Sequence, residues 1–80
     1  MGSPYTVKVE WDDEAGMWVA TSEDVPGLVT EAPTFEALLD KLRVMVPEML
    51  ELNGVLSADD AVRAAFRVVA EKLEAPRAVA

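Results

Sequence analysis

Two residue types that supply much of enzyme chemistry are missing, since the 80-residue sequence contains neither cysteine nor histidine. Their absence excludes thiol nucleophiles, imidazole bases, disulfides, and zinc or iron sites built from thiolate or imidazole ligands. A small domain without disulfides or metals often gains stability by associating with a second copy of itself. The sequence therefore predicts a non-enzymatic, self-associating domain with no catalytic residues, no metal site and no cofactor.

Long apolar runs and export signals are missing as well. No stretch approaches the roughly 18 to 20 apolar residues of a membrane span. The N-terminus also lacks a basic region followed by an apolar core, which is the pattern of a secretory signal. We therefore expect a cytoplasmic protein that does not contact a membrane.

Positive charge is scarce, and the net charge is -8. Residues 1–54 hold eleven acidic against three basic side chains, whereas residues 55–80 hold four of each. An acidic surface repels phosphate backbones, so we expect no direct nucleic-acid binding and an attraction to basic proteins. The alternative, that the acidic charge serves solubility alone, is equally open at this point.

The first 22 residues have the pattern of a β-hairpin. Residues 5–11 alternate apolar and polar side chains, which is typical of a half-buried strand. Four apolar side chains share one face of this strand: Tyr5, Val7, Val9 and Trp11. Residues 12–16 supply a turn in which Gly16 is free to take a positive φ, and residues 17–22 return as a second strand.

A second turn leads to a short third strand over residues 28–31. Pro26 presets φ for the first corner of this turn, and Gly27 can adopt the left-handed conformation of the second corner. Together with the hairpin, this strand completes an antiparallel three-stranded meander.

A helix is predicted over residues 35–52, where apolar side chains recur at helical spacing. Thr34 is placed as its N-cap, and Gly54 marks its C-terminal end. Pro47 lies in the middle and predicts a kink, because proline removes a backbone hydrogen bond.

One helix covers only one face of such a sheet, so the other face must meet water, another element or another chain. On the second strand, Trp18 and Ala20 point to one side and their neighbours to the other. If Trp18 lies on the outer side beside Lys8 and Glu10, it suits an interface anchor. Equally, it could be covered by the C-terminal segment of the chain.

The C-terminal segment carries two competing patterns. Ser57 and Asp60 resemble a capping box, and the apolar positions that follow repeat at helical spacing as far as Leu73. Residues 66–71 also alternate as a strand would. The residues alone leave helix and strand open over residues 58–74.

Several segments resemble the HicB-like antitoxin family, and more narrowly its uncharacterised single-domain branch of small bacterial proteins. They are Trp11-Asp12 before the hairpin turn, the Pro26-Gly27-Leu28 turn and the proline-bearing helix through residues 47–54. The resemblance covers residues 5–54 and implies an α+β fold of β-β-β-α-β type, a truncated ribonuclease H-like arrangement. Its last strand would fall at residues 66–71, beside the first strand. Residues 1–80 would form a single domain, with an N-terminal tail (1–4), a βββα core (5–54), and a connector, fourth strand and tail (55–80).

HicB antitoxins use this domain to hold a small basic ribonuclease toxin, HicA, and append a module that binds operator DNA. After Gly54 we expect room for a strand and a tail but not for such a module. The resemblance therefore implies a homodimeric protein-interaction module for a HicA-like toxin. An orphan dimeric domain without a toxin partner is the alternative. The candidate partner-binding residues are Asp12, Asp13, Glu14, Trp18, Glu23 and Asp24; each acid has the ordinary alternative role of a solvated turn residue.

A metal-dependent nuclease is a rival from another class. Ribonuclease H-like folds hold magnesium ions with carboxylates on the sheet, and Glu10, Asp12 or Asp24 could take that role. However, we expect Glu10 to point away from the face that the helix covers, and the two aspartates lie in predicted turns. The nuclease is therefore the less favoured interpretation.

Overall fold

The computed structural model describes residues 5–77 and shows a small α+β fold with a four-stranded mixed sheet and two helices. The elements in chain order are β1 (Thr6–Asp12), β2 (Met17–Thr21), β3 (Val29–Ala32), α1 (Phe35–Leu52), α2 (Ala58–Ala61) and β4 (Arg67–Glu71). The predicted N-terminal tail at residues 1–4 and the last three residues of the predicted C-terminal tail lie outside the described residues.

The strands lie in the order β3-β2-β1-β4. β1 pairs with β2, and β2 with β3, in antiparallel fashion, which confirms the predicted meander. β4 lies parallel to β1, so the fourth strand expected beside the first is confirmed. Its parallel direction follows from the path of the chain, because α1 and α2 return it to the end at which β1 begins.

The expectation of one helix is wrong, because residues Ala58–Ala61 form the short helix α2. Its N-cap is Ser57, whose Oγ accepts a hydrogen bond from the amide of Asp60 at 3.3 Å. The capping signal in the sequence was therefore real, but the helix ends after one turn. The β-branched pair Val68-Val69 then lies in β4, where such residues are favoured.

α1 covers one face of the sheet with a stripe of side chains spaced four residues apart. Thr34 caps the helix as predicted, since its Oγ1 accepts a hydrogen bond from the amide of Ala37 at 3.1 Å. The helix continues through Pro47 to Leu52, and the kink there stays a prediction. The buried core comprises Val7, Val9, Ala20, Val25, Leu28, Ala32, Leu38, Leu42, Val46, Leu50 and Ala61.

The predicted turn glycines adopt positive φ, with values of 65° at Gly16 and 78° at Gly27; Gly54, after α1, has 69°. The Gly27 turn is held against the end of α1, since the Asn53 side-chain amide donates to the carbonyl of Pro26 at 3.1 Å. A Cβ at Gly27 would lie 2.8 Å from the Met49 methyl group. This turn therefore joins the sheet to the helix as well as connecting two strands.

The register of the hairpin determines the side on which Trp18 lies. Trp18 is opposite Trp11, and Ala20 is opposite the buried Val9, so both members of each pair share the face that α1 covers. The outward placement of Trp18 is therefore wrong. The alternative was that the C-terminal segment covers Trp18. Trp18 instead packs against Phe35 at the start of α1, with ring centroids 5.5 Å apart.

Candidate interaction site

The hairpin turn places three of the predicted acids together. The Asp12 carboxylate accepts hydrogen bonds from the amides of Glu14 and Ala15, at 3.1 and 3.3 Å, and so shapes the turn. The Asp13 carboxylate accepts a 2.6 Å hydrogen bond from the Trp11 indole nitrogen. The Glu14 carboxylate makes no hydrogen bond or ion pair to any other residue among 5–77. Of these three acids, Glu14 is thus the freest to meet a partner.

An aromatic row lies directly beside this acidic turn. Trp11 and Trp18 contact each other edge to face with centroids 5.3 Å apart, and Trp18 contacts Phe35 in the same manner. All three rings are half-buried, so each packs on the core and keeps part of its surface in water. The Lys72 ammonium group lies 5.2 Å above the Trp11 ring. We name Trp11, Asp12, Asp13, Glu14 and Trp18 the hairpin-tip cluster.

The other two predicted acids lie at the opposite end of β1. The Asp24 carboxylate accepts a 2.8 Å hydrogen bond from the amide of Thr6. Ser22 Oγ donates a 2.6 Å hydrogen bond to the carbonyl of Thr6. Ser22 Oγ also accepts from the amides of Asp24 and Val25, each at 3.1 Å. Asp24 is therefore a structural residue of this loop, while its neighbour Glu23 is exposed.

The five acids consequently do not form one surface. β1 has seven residues, so its two ends are roughly 20 Å apart. The structure brings Asp12, Asp13 and Glu14 together with Trp18, and it places Glu23 and Asp24 elsewhere. Sequence reasoning also missed Trp11 and Phe35 as neighbours of Trp18. The predicted turn over residues 12–16 would place Met17 opposite Trp11, whereas the observed register pairs Asp12 with Met17 and Trp11 with Trp18.

The face of the sheet opposite α1 is left open in the described part of the chain. It carries an ion pair between Lys8 and Glu10, whose atoms are 3.0 Å apart. The hydrogen bond to Glu10 raises the pKa of Lys8 above its ordinary value, and the negative charges of Glu10, Glu71 and Glu23 act in the same direction. Val29 is 67% exposed and Val69 is 41% exposed on this face. It is therefore a mixed surface of charge and isolated apolar groups.

The carboxylates considered for a nuclease do not form one metal-binding group. Glu10 projects from the open face beside Lys8, Asp12 shapes the hairpin turn, and Asp24 binds the Thr6 amide. Among residues 5–77, no group of three or more acidic, cysteine or histidine side chains is placed to hold a metal ion. Nor is any helix of that range long and apolar enough to cross a membrane.

These features define a small α+β domain with one helix-covered face and one open face, and the comparisons place it in a family. A sequence model of the family described as Domain of unknown function (DUF1902) matches residues 4–80. Because the match spans nearly the whole sequence, the chain belongs to this family.

The chain is also similar to a solved structure, the crystal structure of hypothetical protein TTHA1013 from the extremely thermophilic bacterium Thermus thermophilus. The two sequences are 51% identical, the match covers 90% of this chain and 97% of that chain, and the TM-score is 0.62. No curated protein matches the chain.

Proposed function

We propose that the chain is a non-enzymatic, cytoplasmic protein-interaction module that binds a small basic protein and associates with a second copy of itself. The resemblance to HicB-like antitoxins supports this proposal and indicates the class of partner, a HicA-like ribonuclease toxin. In that interpretation the fold is the truncated ribonuclease H-like fold of HicB. The chain would hold its partner without binding DNA directly.

The observation that carries the proposal is the hairpin-tip cluster. Tryptophan is enriched among the residues that contribute most to protein-protein binding, because a half-buried indole offers a large, rigid contact surface. Acids around such an anchor attract and orient a basic partner. Here Trp11 and Trp18 keep part of their surface exposed directly beside Asp13 and the unpaired Glu14.

The position of Lys72 suggests how a basic partner would bind. Its ammonium group lies over the Trp11 ring while forming an ion pair with Glu74 at 2.6 Å. A cation over an indole ring is stabilised by the electrons of the ring. A lysine or arginine of the partner would take the same place over Trp11 and displace Lys72. The site thus holds a cation of its own chain in the position that we assign to the partner.

The orphan domain is the second candidate, and one observation favours it: β4 leaves the outer edge of the sheet unpaired within residues 5–77. Such an edge favours self-association whether or not a toxin exists. The nuclease is not proposed, because residues 5–77 contain no group of three or more acidic side chains placed to hold a metal ion.

The experiment is co-expression with a HicA-like protein from the same organism, followed by growth measurements and co-purification at low and high salt. We expect the chain to relieve growth inhibition and to bind the toxin more weakly at high salt. Glu14→Lys should weaken binding, whereas the matched variant Glu23→Lys, at the other end of β1, should bind as the parent does. Absence of binding, or equal weakening by both variants, would contradict the proposed site.

A further inference from the structure

We infer that two copies of this chain pair through the outer edges of their β4 strands, antiparallel and centred on Val69, to form one continuous eight-stranded sheet. The inference rests on the self-association included in the proposed function and adds to it the surface, the direction and the register. No residue of β4 belongs to the hairpin-tip cluster, although Lys72, which directly follows β4, lies over Trp11.

The backbone of β4 offers hydrogen-bonding groups at this edge. The amide of Arg67 donates to the carbonyl of Tyr5 at 2.8 Å, so residue 67 directs its backbone groups towards β1. The direction of the backbone amide alternates along a strand. Val69, which the parallel register places opposite Lys8, therefore directs its backbone groups towards β1 as Arg67 does. Val68 and Ala70 therefore direct their N–H and C=O groups outward, where no strand of residues 5–77 meets them.

The side chains of β4 are self-complementary in one register. Around a two-fold axis at Val69, Arg67 of one copy lies opposite Glu71 of the other, and the two valines lie opposite each other. Opposite charges in such cross-strand pairs stabilise an antiparallel sheet. A shift by two residues would place both charges opposite apolar side chains, and parallel pairing in register would place like charges together. Charge complementarity thus selects one occupant and one alignment.

The backbone phase agrees with this alignment. With the axis at Val69, Val68 faces Ala70 of the second copy, and these are the residues whose backbone groups point outward. They would form the hydrogen-bonded pairs of the new ladder. Arg67, Val69 and Glu71 would occupy the non-hydrogen-bonded pairs, where side chains come closest together. Backbone and side chains therefore favour the same register.

A like-charge contact within one copy adds to the argument. The register of β1 and β4 places Glu10 directly opposite Glu71 on the open face. Like charges in this position are unfavourable. The arginine of a second copy would lie on the other side of Glu71 and offset that repulsion.

The other edge of the sheet is blocked, which leaves β4 as the edge for pairing. The Lys41 ammonium group donates a 2.6 Å hydrogen bond to the carbonyl of Glu31 in β3. Pro33 follows β3 directly, and β3 has only four residues. Lysine, proline and short length are the usual protection of an edge strand against pairing. β4 contains no lysine and no proline.

The test uses charge reversal with a built-in rescue, measured by sedimentation equilibrium on the purified chain. Arg67→Glu places two acids opposite each other, and Glu71→Arg places two arginines opposite each other. We expect each variant to weaken the dimer by about tenfold or more, because two cross-strand pairs per dimer become repulsive. An equimolar mixture of the two variants should form a heterodimer, and the double variant should regain the parent affinity. Circular dichroism checks that each variant is folded.

Backbone pairing is tested separately by hydrogen exchange. In the parent dimer the amides of Val68 and Ala70 should exchange slowly, and in Glu71→Arg they should exchange rapidly. The amide of Val69, which is directed towards β1, is the internal control and should be slow in both. The β4 interface would be overturned if neither charge reversal changed the affinity of the parent dimer, or if the Val68 and Ala70 amides of that dimer exchanged rapidly. Either result would leave the proposed dimer itself intact. A parent chain that stays monomeric at every concentration would overturn both, while partner binding would be unaffected.

Discussion

Asp24 and Thr6, 18 residues apart in the chain, are joined by a 2.8 Å hydrogen bond from the Thr6 amide to the Asp24 carboxylate. This contact fixes the loop between β2 and β3 against the beginning of β1. The same loop is held by Ser22, whose hydroxyl donates to the Thr6 carbonyl. Asp24, one of the predicted partner-binding acids, thus has a structural role in this loop, and its contact with a partner stays a prediction.

Replacement of Asp24 by alanine should lower the free energy of unfolding by about 1 kcal/mol, because a hydrogen bond to a charged acceptor is lost at a partly solvated site. Urea denaturation followed by tryptophan fluorescence measures the change. Glu23→Ala is the matched control, since Glu23 is exposed and makes no hydrogen bond within residues 5–77. Equal effects of the two substitutions would show that the Thr6 contact contributes nothing.

Gly27→Ala and Gly16→Ala should each cost about 1 to 2 kcal/mol, because both glycines have positive φ. A Cβ at Gly27 would also approach the Met49 methyl group, whereas a Cβ at Gly16 would meet nothing within 4 Å. Since that methyl group ends a flexible side chain, we expect it to move aside and the two costs to be similar. Thermal unfolding of both variants compares them. A much larger loss at Gly27 would mean that Met49 is held rigidly.

Trp18→Ala should destabilise the fold by roughly 2 to 4 kcal/mol, since it removes a half-buried indole from between Trp11 and Phe35. A double-mutant cycle with Phe35→Ala should give a coupling free energy of about 0.5 to 1.5 kcal/mol, which is typical of an edge-to-face pair. Zero coupling would contradict the contact. Trp18→Lys should destabilise the monomer as well, because the helix-covered face would then receive a charge.

Stability at alkaline pH should depend on Lys8. Its pKa is raised in the folded chain, from an ordinary value of 10.5, chiefly by the hydrogen bond to Glu10. A raised pKa means that the ion pair stabilises the fold fully below the ordinary value. That contribution is lost as pH rises through the folded pKa. Glu10→Gln should lower the pKa of Lys8 in an NMR titration and reduce this dependence, since Glu71 and Glu23 still act on Lys8.

Glu71→Gln is the control for that titration. Glu71 acts on Lys8 through charge alone, without a hydrogen bond, so its removal should lower the pKa by less. The opposite order of the two effects would contradict the assigned cause.

The sequence predicted the meander, the helix over residues 35–52 and its Thr34 cap because local patterns determine these features. It did not distinguish the two faces of β2, since apolar side chains occur on both. The helical spacing and capping box of residues 57–73 were set aside in favour of the strand that the family resemblance implied, so the short helix α2 was not predicted beside that strand. The fourth strand came from the family resemblance, because residues 66–71 fit a helical and a strand period equally well.

The candidate site was only partly predictable for a related reason. Composition identified the acids of residues 12–14 and 23–24, and the hairpin places these two groups at opposite ends of β1. The role of Asp24 depends on a contact between residues distant in sequence, which no local pattern contains. The position of Trp11 beside Trp18 was missed because the predicted turn was one residue longer than the turn in the structure.

The hydrogen bond from Lys41 to Glu31 also affects how far an assembly can grow. A sheet with two free edges can add copies at both ends and extend into a fibre. A sheet with one blocked edge and one self-complementary edge stops at a dimer, because only the blocked edges remain after two copies pair. In this protein a lysine of the helix, together with Pro33 and the short length of β3, would limit the sheet to two copies, and replacement of Lys41 by alanine would weaken that limit.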